Sequence, residues 1–230
     1  MNVTNPKSQE TLNHRIRVGQ DRRQKMRMRL MESALVVFST KGIDATVIED
    51  VIAEAGVSRG TFYNYFRTTS ELVTALGETL ANELINQIET HARDLDNPVE
   101  ILATGLRLFL HTARAHPNFA SFVWRAGLNM DAVVQLLYTY LPPHISRCIE
   151  RKVFRVIDVA SALEIMAGII LTATYAISTR SPCEADYPER MVQHALLALG
   201  VSLPEVQRLT SLSLQGLTLP ADSLLVKTRH

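Results

Sequence analysis

The segment Thr46-Val47-Ile48-Glu49-Asp50-Val51-Ile52-Ala53-Glu54-Ala55-Gly56-Val57-Ser58-Arg59-Gly60-Thr61-Phe62-Tyr63-Asn64-Tyr65-Phe66 constrains the fold more than any other part of the chain. Val47, Val51 and Ala55 recur every fourth residue, as do Ile48 and Ile52, so a helix here has one apolar face. Thr46 is placed to cap that helix, with Glu49 three residues on as its capping-box partner. Gly56 supplies the left-handed residue that ends it, and Ser58 caps a second helix. In the second helix Phe62 and Phe66 point toward a core, leaving Arg59, Thr61, Tyr63, Asn64 and Tyr65 for another surface. Two short helices joined by a glycine turn, the second rich in hydrogen-bonding side chains, form a helix-turn-helix. In that motif the second helix enters the DNA major groove.

Charge distribution agrees. The net charge of +1 is uninformative, but residues 1–67 hold 11 Lys and Arg against 7 Asp and Glu, and the remainder is net acidic. Arg15, Arg17, Arg22, Arg23, Lys25, Arg27 and Arg29 precede the motif, where they can reach phosphates. The N-terminus lacks the apolar run of a signal peptide, and two cysteines with no C-x-x-C suit a reducing, cytoplasmic setting.

The pattern Ala-Gly-Val-Ser-x-Gly-Thr-Phe-Tyr-x-Tyr-Phe, Ala55 to Phe66, resembles the DNA-binding segment of the TetR family of bacterial transcription regulators, and the match extends from Arg29 to Leu72. Ile52 stands where that family commonly has a small Ala, and Thr69 where it commonly has a phosphate-touching Lys. The resemblance implies a homodimer on a palindromic double-stranded DNA operator, released by a small apolar or amphipathic effector, with dimerisation through a four-helix bundle of the last two long helices. A repressor is the expected mode; an activator or effector-independent regulator is the alternative, and a helical carrier or enzyme a remote one. No cofactor is expected.

Helical periodicity continues along the chain, with no strand or hairpin signal. The fold expected is all-α: an N-terminal three-helix helix-turn-helix head and a C-terminal helical ligand-binding and dimerisation domain, nine or ten helices in all. The divisions are a flexible basic arm at 1–20, the head at 21–67, the helical domain at 68–215 and a loose tail at 216–230. Helix one runs from about Asp21 to Thr40. Thr68 and Glu71 open a helix with Leu72, Leu76, Leu80, Leu84 and Ile88 in register, reaching Arg93. Asn97, Asp158 and Ser202 mark later helix starts, and Pro142-Pro143 should interrupt a helix.

Arg59, Thr61 and Asn64 are the candidates for base edges. Arg29, Thr46, Ser58, Tyr63 and Tyr65 are candidates for phosphates, and Gly60 belongs to the same interface. Gly56-Val57-Ser58-Arg59-Gly60 also matches the hydrolase G-x-S-x-G elbow. That elbow requires a strand before its serine, and this one follows helical periodicity, so no enzyme is expected. The seven histidines form no H-E-x-x-H or other metal spacing. Phe122, Trp124, Met130 and Tyr138 cluster near the prolines as candidate ligand contacts, joined by His111, His144, Met166 and Tyr175. The most apolar window, Val159 to Ala176, is short and carries Glu164, so a covered helix is expected and not a membrane span. A dimer face is expected from Leu163, Ala167, Ile170 and Ala173 of this helix with Met191 and Ala195 of the next.

Overall fold

Of Thr46, Ser58, Thr68, Asn97 and Asp158, side chains expected to open helices, four do so. In a computed structural model describing residues 6–127, 131–156, 158–180 and 183–228, with side chains for all but 6–14 and 131–139, eleven helices are found among the described residues. These are α1 (Pro6–Lys41), α2 (Ile48–Ala55), α3 (Arg59–Tyr63), α4 (Thr69–Ala92), α5 (Pro98–Ala115), α6 (Pro117–Ala126), α7 (Asp131–Glu150), α8 (Val159–Thr179), α9 (Tyr187–Ala198), α10 (Leu203–Ser211) and α11 (Leu224–Lys227). Ser58 accepts from the Thr61 N–H at 3.1 Å, Thr68 from Glu71 at 3.0 Å, Asn97 from Val99 at 3.3 Å and Asp158 from Ser161 at 2.8 Å.

The exception is Thr46. The residue before α2 is Val47, whose N–H donates to the Asp50 carboxylate at 3.2 Å, and Thr46 is buried with its hydroxyl donated to Gly42 O at 2.6 Å. Gly42 ends α1 with φ 91°, and Lys41 pairs with Asp50, so the path of the chain out of α1 selects the later cap.

Three further differences from the sequence reading have physical causes. Helix α1 begins at Pro6, so residues 6–20 continue the helix where a flexible arm was expected. Gln, Arg, Lys and Met are good helix formers, and the single Gly19 is not enough to stop them. Helix α7 runs through Pro142 and Pro143 without interruption. Each proline removes one backbone donor, but Leu141, Ile145 and Cys148 are buried in the core on the same helix, and that packing outweighs the lost bonds. The tail is not loose: α11 is an eleventh helix, and Leu224 and Leu225 are fully buried.

Two apolar clusters organise the molecule. The first joins Leu30, Leu35 and Phe38 of α1 to Val51 and Ala55 of α2, to Phe62 and Phe66, to Leu72–Ile88 of α4, to Phe119 and Phe122 of α6, and to Leu224 and Leu225. It crosses the expected boundary at 67/68 without a break. Phe38 and Phe122 stack with centroids 6.2 Å apart. The second cluster lies among α5, α7, α8, α9 and α10, with Leu106, Ile145, Met166, Leu196 and Val206 at its centre. Inside it, Arg107 of α5 is almost fully covered. Its guanidinium donates to Leu212 O at 2.9 Å and Leu209 O at 3.3 Å, and it pairs with Glu189 of α9 at 3.5 Å.

The chain after α10 returns across the molecule. Leu214, Leu217 and Leu219 lie against the first cluster, Ser223 donates to Glu83 of α4 at 2.8 Å, and the Leu224 N–H donates to the same carboxylate at 3.3 Å. Burial raises the Glu83 pKa, partly opposed by those two hydrogen bonds. A raised carboxylate binds more protons folded than unfolded. It therefore favours folding at acid pH, and that contribution is lost as pH rises through the folded pKa. Glu83→Gln should remove this decline, so the difference in urea midpoint between variant and parent should change between pH 4 and 7. A constant difference would show that Glu83 does not titrate in the fold.

Candidate nucleic-acid interface and cavity

The second motif helix is held from behind. Phe62 is fully buried, Phe66 nearly so, and Arg27 of α1 lies over the Phe66 ring at 5.3 Å. Gly56 adopts φ 60°, the left-handed turn expected of it. With its back fixed, α3 presents Ser58, Arg59, Gly60, Tyr63 and Asn64 to solvent. Arg59 pairs with Glu49 of α2 at 3.3 Å and lies 5.9 Å from the Tyr63 ring. In the free chain the cation is thus held across the two motif helices, by contacts open to solvent. The Thr61 hydroxyl lies 2.9 Å from that of Ser58, so one of the two donates to the other and the second keeps its proton for a further partner. Gly60 is informative in a different way. A Cβ there would find only Ser58 Oγ, at 3.9 Å, so nothing inside the chain requires glycine.

Two expected contact residues are not free. Thr46 is buried and bonded to Gly42, as described, and belongs to the fold. Tyr65 is half-buried against the first cluster. Arg29 is exposed beside the motif turn, its guanidinium 3.3 Å from where a Cβ on Gly56 would stand. Glu49 was missed as a partner; its place on the exposed side of α2, facing a basic α3, was the available signal.

Behind the head, α4 continues into the wall of a cavity enclosed by α4, α5, α6, α7 and α8. Its volume is about 100 Å³, and it opens to solvent on one side. Gly77, Leu80, Ala81, Leu84, Ile85 and Ile88 form the α4 wall, facing Gly105, Phe109, Phe119, Phe122, Ala167 and Ile170. Among the described lining residues there is no Asp, Glu, Lys, Arg or His, and Tyr140 contributes the one side-chain hydroxyl. Burial, with Glu89 nearby, raises its pKa and keeps it protonated. Its ring lies 5.3 Å from His144, which burial, helped by Arg147, holds below the ordinary histidine range.

Of the ligand contacts expected from sequence, Phe122 lines the cavity; Met130 and the Tyr138 side chain lie outside the described residues. His111 Nε2 instead donates to the Glu189 carboxylate at 2.7 Å. Trp124 and Tyr175 are exposed and packed on each other, centroids 4.5 Å apart, on the outer side of α6 and α8. Met166 is in the second cluster, and His144 stands behind Tyr140 and off the wall. The α4 residues were missed. The signal was two mid-helix glycines, Gly77 and Gly105, each costing helix stability of about 1 kcal/mol relative to alanine; both line the cavity, and a Cβ on Gly105 would stand 3.3 Å from Ile88.

The expected dimer residues are occupied within one chain. Leu163, Ala173 and Ala195 are buried, Ile170 and Ala167 line the cavity, and Met191 packs on the second cluster. The small residues bring α8 close to α6 and α9 of its own chain. The outward side of α8 is the other stripe: Ala160, Glu164, Gly168, Thr172 and Tyr175. By length and composition α8 could cross a membrane, with mean hydropathy 1.6, but 39% of that window is buried inside this fold.

Residues 30–76 match the family model for bacterial regulatory proteins of the tetR family, and residues 97–211, half of the chain, match the tetracyclin repressor-like C-terminal domain. The chain belongs to the tetR family. Similar proteins include two HTH-type transcriptional regulators of Bacillus subtilis (strain 168) whose own roles are uncharacterised. YvdT is 36% identical over 51% of this chain and 60% of its own length; YfiR is 30% identical over 40% and 47%. This TetR-family chain thus spans about half the length of the curated relatives it matches. Among solved structures, RolR in complex with resorcinol superposes with TM-score 0.59 at 22% identity, covering 86% of this chain and all of RolR. AibR with isovaleryl coenzyme A and operator DNA gives 0.58 at 16%, covering 75% and 97%. These likenesses show a TetR-family fold: helix-turn-helix head and helical C-terminal domain.

Proposed function

We propose that this TetR-family chain is a cytoplasmic, DNA-binding transcriptional regulator, a repressor that a small neutral ligand releases from its operator. The observation that carries the reading is α4. One helix supplies Leu72 and Leu76 to the core behind the recognition helix and Leu80, Leu84 and Ile88 to the cavity wall. A ligand that prefers one position of α4 therefore shifts the head, and only such a difference in affinity moves the equilibrium. The ligand bound to RolR and the ligand and DNA bound to AibR support the same division of labour.

Arg59, Thr61 and Asn64 are the side chains proposed to read bases. Ser58, Tyr63 and Arg29 are proposed for phosphates. On α1, Arg15, Arg22, Lys25 and Arg29 fall on one side of the helix and extend the basic surface beyond the motif. Two copies are needed to read a palindrome, and we assign their contact to the outward side of α8 with Arg190, His194 and Leu197 of α9. The cavity is suited to an uncharged, largely apolar molecule. A carboxylate would be stripped of water there with no cation among the described lining residues to pair, whereas one hydroxyl or carbonyl could meet Tyr140.

The test is selection of binding sites from random duplex DNA. Asn64→Ala should lower affinity for the selected site by roughly 1–3 kcal/mol and relax preference at one base pair. Failure of the parent chain to enrich any sequence would refute the function. Gly60→Ala separates folding from recognition. It should hold or raise thermal stability, by about 0.5–1 kcal/mol for a helical glycine, while weakening DNA binding, because the added methyl lies on the surface offered to DNA. Unchanged binding would mean that the DNA does not approach at Gly60.

A further inference from the structure

Residues 212–228 lie beyond both family models, yet they hold together three helices that the proposed mechanism needs to move. Ser223 and the Leu224 N–H bind Glu83 of α4. Lys227 pairs with Glu32 of α1 at 2.7 Å. Asn118 of α6 donates to Thr228 O at 2.9 Å and accepts from Ser39 of α1 at 2.9 Å. Between these polar ties, Leu224 and Leu225 are fully buried beside the α1 and α4 leucines, and Leu214, Leu217 and Leu219 follow the same surface. At its other end the segment is anchored where Leu212 O accepts from Arg107, in the core of the effector domain. Glu83 leaves α4 from a different side than Leu80 and Leu84, which face the cavity. At one level the helix thus borders the cavity on one side and the C-terminal segment on another.

We propose that residues 212–228 are a built-in latch that fixes α4 against α1 and α6, and so sets the position of the DNA-binding head when the cavity is empty. The latch draws its hold from apolar burial in the first cluster and from exchangeable polar ties, so its release loosens that cluster and leaves the second in place. Movement of α4 toward a ligand-preferred position must stretch the Glu83 contacts. The strength of the latch then sets how much differential affinity a ligand needs before the heads move. This role rests on the proposed DNA-binding function, whereas docking of the segment does not.

The experiment compares full-length chains by hydrogen exchange. Leu225→Asp places a charge in the buried site and should undock the segment. A second variant, Ser223→Ala with Lys227→Gln, removes polar ties alone and leaves the leucines in place. Undocking should speed exchange about tenfold or more in α1 near Met31 and in α4 near Leu80–Leu84, with α5, α8 and α9 unchanged. The double variant should show the same pattern at smaller amplitude. Equal acceleration in both clusters, or none, overturns the latch. The second readout is affinity for the selected DNA, expected to fall at least about fivefold in Leu225→Asp as the head loses its fixed position. Unchanged affinity, with localised exchange, would reduce the segment to a cover and overturn its regulatory role. If the parent chain selects no DNA site, the functional reading fails while exchange alone judges the docking.

Discussion

A Gly168→Arg chain should sediment as a monomer and lose most of its affinity for a palindromic site. Gly168 is exposed at the middle of the outward stripe of α8, and a Cβ there meets nothing within 4 Å, so the single chain tolerates a longer side chain. In the proposed dimer the same position faces its own copy across a two-fold axis, where two arginines would set like charges and added bulk into a close helix contact. Losing the link between heads removes the effective-concentration gain, on the order of 10²–10⁴ in affinity for two half-sites. Thermal stability of the monomer and affinity for a single half-site should be nearly unchanged. A Gly168→Arg chain that remains dimeric would move the interface elsewhere. The same change at Ala173, which is fully buried, tests nothing about assembly, because it would disrupt the chain's own core.

The largest stability effect should follow from Glu189→Leu. Glu189 is the acidic partner of Arg107, whose side chain is 6% exposed, and it also meets His111 at 2.7 Å. Removing one partner of a buried pair costs about 3–5 kcal/mol. Glu189 itself is 22% exposed and Arg107 keeps two carbonyl contacts, which favours the lower end. At about 2–4 °C per kcal/mol for a chain of this size, the melting temperature should fall by roughly 6–12 °C. Replacing Arg107 by Met in the same chain should recover much of this, since no charge is then left unpaired. If the double variant melts no higher than Glu189→Leu, the loss lies in packing and not in the pair.

The motif and the caps were legible because their causes are local. Ser58, Thr68, Asn97 and Asp158 each bond a backbone N–H two or three residues away, and the spacing of Phe62 and Phe66 fixes which side of α3 is hidden. Thr46 misled because two neighbouring residues could open α2, and the choice lay with the end of α1. The cavity wall was hidden for a different reason. Leu80, Leu84 and Ile88 read as ordinary core, and only the arrangement of five helices leaves a void beside them. Trp124 and Tyr175, the more conspicuous residues, satisfy each other outside it. Small residues on α8 signalled close helix approach, but periodicity does not say whether the approaching helix belongs to the same chain. The latch was the least legible part: a leucine-rich coil has no period, and its burial depends on residues far away in sequence.

That distance has a consequence for how the protein is made. Lys227 and Glu32 stand 195 positions apart, and Leu224 and Leu225 complete a core that begins at Leu30. The head is translated early, and at bacterial-scale synthesis rates it waits on the order of 10–30 s for its last apolar neighbours to emerge. During that interval the side of α1 and α4 later covered by α11 is open to water and to other chains. Protection of the Leu30–Phe38 amides should therefore mature only after Leu224 and Leu225 have left the ribosome exit tunnel. A chain ending before Leu224 would have a head that is present but unsealed.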